Sequence, residues 1–145
     1  MPKKGQKETS EKFLSTIKQW QKLEDDTIRF SEEMLKKSKN SLVRITMEII
    51  RDDSKKHKAL QQMLIDSLTK EALHLSPDEL AGLSDSLNKH VAAEAKSLEF
   101  ADEAMRNSTL FSTRYILSVL MADEAKHHKL LSNLNDVKRA TIMVT

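Results

Sequence analysis

Asp123-Glu124-Ala125-Lys126-His127-His128-Lys129-Leu130-Leu131 is written twice in this chain. Seventy-one positions earlier stands Asp52-Asp53-Ser54-Lys55-Lys56-His57-Lys58-Ala59-Leu60, with Asp, Lys, His, Lys and Leu at the same places. Upstream, Ser41, Ile45, Ile49 and Ile50 answer Ser112, Ile116, Leu120 and Met121. A second pair repeats seventy positions apart: Glu24 to Glu33 answers Glu94 to Glu103, with Phe30 opposite Phe100. The chain therefore reads as two related helical hairpins, each offering a Glu on its first helix and an acid plus His on its second. Two copies make a duplicated motif rather than a solenoid array.

Composition supports helices throughout. The 145 residues suffice for one domain with a sizeable core, and only two Gly and two Pro interrupt a sequence rich in Lys, Glu, Leu, Ala and Ser. The fold class expected is all-α, a four-helix bundle built from the two hairpins. No Cys is present, which excludes disulfides, thiolate metal sites and thiol nucleophiles. No apolar run approaches the roughly 20 residues that span a bilayer, and the lysine-rich start lacks a hydrophobic signal core. A soluble, cytoplasmic protein without membrane contact is expected. A net charge of +2 argues little for nucleic acid, and Lys3, Lys4 and Lys7 read as a solvated arm.

The spacing of apolar residues sets the elements. Residues 1–9 read as a disordered arm, 10–139 as the bundle and 140–145 as a tail that packs back or frays. Phe13, Ile17, Trp20, Leu23, Ile28 and Met34 recur at threes and fours, one face of a helix that Thr9 or Ser10 caps. Asn40 reads as a left-handed stop and Ser41 as a new cap. Leu42, Ile45, Ile49, Leu60, Met63, Leu64 and Leu68 stripe the second helix. Ser76-Pro77-Asp78-Glu79 starts a turn of helix inside the long 69–86 connection, and Ser84 or Ser86 caps the next. Leu87, Val91, Leu98, Ala101 and Met105 stripe the third helix. After the turn Asn107-Ser108-Thr109, the fourth runs from about Ser112 to Val137 with Ile116, Leu117, Leu120, Met121, Leu131 and Leu134 inward.

Charges fall inside these stripes. At about 100° per residue, Glu94 lies at the centre of its stripe. Asp53 lies between Ile49 and Leu60, Glu124 between Leu120 and Leu131, and Glu24 just off the Trp20–Thr27 line. His57, His127 and His128 fall on or beside the same faces, and His90 borders that of Glu94. Counting back from the turns sets Glu24 level with His57, and Glu94 more loosely level with His128. Buried carboxylates without partners would cost several kcal/mol each, so something must neutralise them. A metal ion held by oxygen and imidazole would do so, as iron, manganese or zinc can. Lys55, Lys56, Lys126 and the histidines reaching in as a salt-bridge network would do so too. The candidate metal ligands are thus Glu24, Asp53, His57, Glu94, Glu124, His127, His128 and His90.

On the stripe-centred Glu24 and Glu94 and the acid-plus-His second helices, the chain resembles the ferritin-like superfamily, most of all its rubrerythrin-type branch. In that family two helices each give a Glu and two others each give Glu-x-x-His around a pair of metal ions. The resemblance covers residues 10 to 138 and matches Glu24 and Glu94 to the single glutamates, His57 and His128 to the histidines. Ser54 and Ala125 stand where the bridging glutamates belong. Glu124-x-x-His127 fits the motif literally, whereas Asp53–His57 and Glu124–His128 are spaced by four, which also shares a helix face. The resemblance implies one or two iron or manganese ions per chain, with zinc as a further choice, and oxidoreductase chemistry on oxygen or peroxide, or iron handling. Without a Cys-rich donor module, reduction would need a separate electron-donor protein.

No Gly-rich phosphate loop and no serine on a strand-to-helix elbow are present. The dispersed Met residues read as core filler. Trp20 and Phe30 read as inter-helix packing or as a homodimer face, and His74 as an exposed loop residue. The alternative function is a metal-free helical bundle serving as an interaction or oligomerisation module.

Overall fold

A computed structural model describes residues 4–70 and 77–144. The described residues are all-α, with four long helices and one short one among them: α1 (Lys4–Lys37), α2 (Ser41–Thr69), α3 (Pro77–Gly82), α4 (Ser84–Arg106) and α5 (Phe111–Val144). The chain divides into two compact units, 1–74 and 75–145. In the first, α1 packs along α2; in the second, α4 packs along α5 and α3 touches both. The four long helices and two related hairpins expected from the repeat are what the structure has.

The turns show why each hairpin closes where it does. The α1 C-terminus leaves carbonyls without helical partners. Arg44 reaches back across the turn and donates from Nη1 to Leu35 O at 2.6 Å and Ser38 O at 3.1 Å. Arg114 does the same for α4, donating to Met105 O at 2.7 Å and Ser108 O at 2.9 Å. Each guanidinium also sits at the negative end of a helix dipole. The two staples lie seventy positions apart residue for residue, and so do the buried Ile17 and Leu87. Seventy is therefore the structural register of the repeat, one less than the offset read from Asp52–Leu60.

Asn40 is not a left-handed stop. Its φ is −70° and its ψ 126°, and its side chain accepts from Leu42 N and Val43 N as the N-cap of α2. The second hairpin has Leu110 at the matching place. At the start of the chain, α1 already begins at Lys4, inside the stretch expected to be an arm. Lys, Gln and Glu are good helix formers, and one Gly costs only about 1 kcal/mol. The connection behaves as Pro77-Asp78-Glu79 suggests, with α3 starting at Pro77; the Ser76 cap and His74 lie outside the described residues. Ser84 is the first residue of α4 rather than its cap, a place taken by Leu83.

Two helices can bury only the strip along their seam. Among the described residues, Ile17, Ile65 and Leu87 are the buried apolar side chains. The stripes are wider than the seam, so Leu23, Met34, Leu60, Leu64, Ile116 and Leu120 remain exposed. Trp20 and Phe30, expected in the packing, are 50% and 57% exposed. Arg29 lies over the Phe30 ring at 5.4 Å, and Lys96 over the equivalent Phe100 at 5.1 Å.

Candidate functional site

Each hairpin sets a carboxylate from its first helix against an imidazole from its second. In the first, Glu24 Oε1 lies 3.3 Å from His57 Nδ1. In the second, Glu94 Oε1 lies 3.7 Å from His127 Nδ1. These four residues obey the seventy-residue register, and they occupy the same place in each hairpin because Ile17 and Leu87, seven residues earlier, fix which face of α1 and α4 meets the seam.

The third group differs. On α5, Glu124 stands one turn before His127, and its carboxylate comes up to Glu94. Ligand atoms of Glu94, Glu124 and His127 all lie within 4.8 Å of one another, a grouping that could hold a metal ion. Glu94 Oε2 is buried with no hydrogen-bond partner among the described residues. The crowding shows in the proton affinity of Glu124, which is raised above the ordinary Glu value of 4.5. A proton shared with Glu94 is the largest cause, partial burial the next, and repulsion by the Glu94 charge the third; the positive end of His127 opposes them and Asp123 adds to them. The pair therefore attracts a cation, whether proton or metal.

In the first hairpin Ser54 occupies the position of Glu124 and is buried. The third polar group comes instead from one turn after the histidine: Gln61, 3% exposed, donates from Nε2 to Glu24 Oε1 at 3.5 Å. Glu24 itself is 7% exposed. Further links tie this hairpin: an ion pair of Lys58 with Asp25, and donation by Gln21 Nε2 to Lys58 O at 3.3 Å and to Gln62 Oε1 at 3.2 Å.

The remaining sequence candidates stand apart from these groups. His128, the histidine matched by the seventy-one offset, is half-buried, and His127 takes the position beside Glu94. Asp53 is half-buried next to Ser54 and forms no metal-type group among the described residues. His90, in the place of Trp20, is exposed. Gln61 was missed by the sequence reading, because a Gln beside a second Gln on a charged helix reads as surface. The signal that marks it is its angle: it falls seven residues from Ser54 and four from Ile65, on the seam.

Comparison with known proteins finds no matching family model, no matching curated protein and no matching solved structure.

Proposed function

We propose that this chain is a metal-binding helical protein whose second hairpin holds one transition-metal ion between Glu94, Glu124 and His127. The observation that carries the reading is the meeting of two carboxylates, one with a buried unpartnered oxygen, beside an imidazole. Left without a cation, such a pair repels; a divalent ion removes the repulsion. Two carboxylates and one imidazole suit iron, manganese or zinc, and three protein ligands leave positions for water or a small substrate.

The donor set fits one ion rather than the pair of the ferritin-like proteins, since of the two histidines that face a first-helix glutamate only His127 has a Glu three residues before it, Glu124, and Ser54 stands in that place before His57. The ferritin-like resemblance of the sequence supports an oxidoreductase acting on oxygen or peroxide, or a protein that handles iron. A bound ion would supply the electron transfer or Lewis acidity such chemistry needs. The chain's own part is to orient the two carboxylates from α4 and α5, to exchange the proton for which Glu124 has a raised affinity against the ion, and to present the imidazole of His127. A separate electron donor would serve the redox role, and the lack of Cys fits a reducing, cytoplasmic setting.

A metal-free interaction module is the second reading, favoured by the exposed row of Trp20, Leu23, Phe30 and Met34 on α1. A homodimer through this face is its simplest form. Equilibrium dialysis against iron(II) without oxygen, manganese or zinc separates the two, with Glu94→Leu alongside. Under the metal reading the second-hairpin ion binds and the variant loses it. Under the module reading the wild type takes up nothing, and the substitution stabilises the hairpin by removing a buried carboxylate.

A further inference from the structure

The first hairpin contains a buried polar group that its own contacts leave incomplete. Gln61 Oε1 is buried and has no hydrogen-bond partner among the described residues, although the side chain is 3% exposed. Its amide nitrogen reaches Glu24 Oε1 only at 3.5 Å, the outer limit of a hydrogen bond. Glu24, also buried, has the His57 imidazole across the helices at 3.3 Å, while Lys58, the next residue on α2, is bound to Asp25. A buried carboxylate is thus held by a half-exposed imidazole and a stretched amide contact.

A half-turn of the Gln61 amide exchanges its oxygen and nitrogen with almost no change in shape. The carbonyl oxygen then stands beside Glu24 Oε1, a repulsive arrangement unless a cation lies between them. The atoms already have the spacing for that. Ligands at about 2.0–2.1 Å from a tetrahedral zinc ion lie about 3.3–3.4 Å from one another. Here the Glu24–His57 edge is 3.3 Å, and the distance from Glu24 to the Gln61 amide nitrogen, whose place the carbonyl oxygen takes after the half-turn, is 3.5 Å. The His57 side chain is 53% exposed, which leaves a side open for ion entry and a water ligand.

We propose that the first hairpin carries a metal site of its own, in which the Gln61 carbonyl completes Glu24 and His57 around a divalent ion of the zinc class. The site is separate from the Glu94–Glu124–His127 centre and does not depend on it. With one carboxylate instead of two, it is the weaker of the two sites, and its occupation is reported by rotation of the Gln61 amide.

The test uses the full chain carrying Glu94→Gln and Glu124→Gln, titrated with zinc alone and, in parallel, manganese alone. One zinc ion per chain is expected to bind. Adding Gln61→Leu lowers that affinity on the order of 100-fold, and Gln61→Glu raises it by at least tenfold, because a second carboxylate replaces a neutral carbonyl. In the unsubstituted protein, the side-chain amide signals of Gln61 in nitrogen–proton spectra move as zinc is added. No uptake by the double variant up to millimolar zinc overturns the proposal. So do affinities unchanged by both Gln61 substitutions, and so do Gln61 amide signals that stay still at saturating zinc, a readout that needs no substitution to fold. An ion count equal in wild type and double variant would instead strike the second-hairpin centre, so the two claims fail separately.

Discussion

The two hairpins share a register, a turn staple and a Glu–His pair, yet they solve the same electrostatic problem differently. In the first, Glu24 is buried beside a neutral amide, and Lys58–Asp25 and Gln21 tie the helices together around it. In the second, Glu94 meets another carboxylate. Without a cation the first arrangement keeps one amide contact to its buried carboxylate, whereas the second sets two carboxylates against each other. One residue exchange, Ser54 for Glu124 at equivalent positions, separates a seam with one carboxylate from a seam with two. Duplication supplied the frame, and the third polar group decides what each copy does with it.

The largest effect expected from breaking this difference is on ion binding. Glu94→Leu removes the one ligand that α4 gives to the second site, and uptake there falls by more than about 100-fold, measured by equilibrium dialysis. Glu124→Ser, which writes the first hairpin's residue into the second, lowers affinity on the order of 100-fold while raising the melting temperature of the metal-free protein at neutral pH, because the facing charges are gone. Calorimetry with and without metal reads both signs.

Acidity probes the same pair. Because folding raises the Glu124 proton affinity, its contribution to stability is fully present below the ordinary value of 4.5 and is lost as pH rises through the raised value. Metal binding runs the other way: uptake at the second hairpin weakens as pH falls through the raised value, since the proton and the ion compete for Glu124. Titration of Glu124→Gln removes this step from the binding profile. An unaltered profile would show that the step belongs to another group.

The smallest effects lie at the turns. Arg44→Ala and Arg114→Ala each free two carbonyls on the surface and cost about 1 kcal/mol in chemical denaturation. Asn40→Ala costs about 1 kcal/mol, whereas Leu110→Asn, which gives the second hairpin the cap that the first has, adds about 0.5–1 kcal/mol. If Leu110→Asn is neutral, the turns are less alike than the Arg staples indicate.

Most of the fold was legible because it rests on periodicity. Ile17 and Leu87 recur on stripes that only a helix brings to one side, and Asn107-Ser108-Thr109 could only turn; the buried Ile65 lies outside the stripe read for the second helix, whose Ile45, Leu60, Met63, Leu64 and Leu68 are exposed. Glu94 was legible as a site residue for the same reason, a charge at the centre of an apolar stripe. The register was read one residue out because the Asp-x-x-x-x-His-Lys identity between the copies is stronger than their alignment at the turn. What fixes the pairing is where Arg44 and Arg114 staple the preceding helix, and no local likeness reports that. Hence His127, not His128, faces Glu94. Gln61 escaped because its role depends on a partner thirty-seven positions away on α1. Trp20 and Phe30 were placed inside because a stripe tells which residues share a face, not how much of that face the neighbouring helix covers.

The central claim is that an ion sits between α4 and α5. Anomalous diffraction from crystals grown with manganese or zinc tests it most directly. The account predicts a peak within about 2.0–2.2 Å of the carboxylate oxygens of Glu94 and Glu124 and of an imidazole nitrogen of His127, and its disappearance in Glu124→Ser. A metal-soaked crystal with no peak between these three side chains would contradict it.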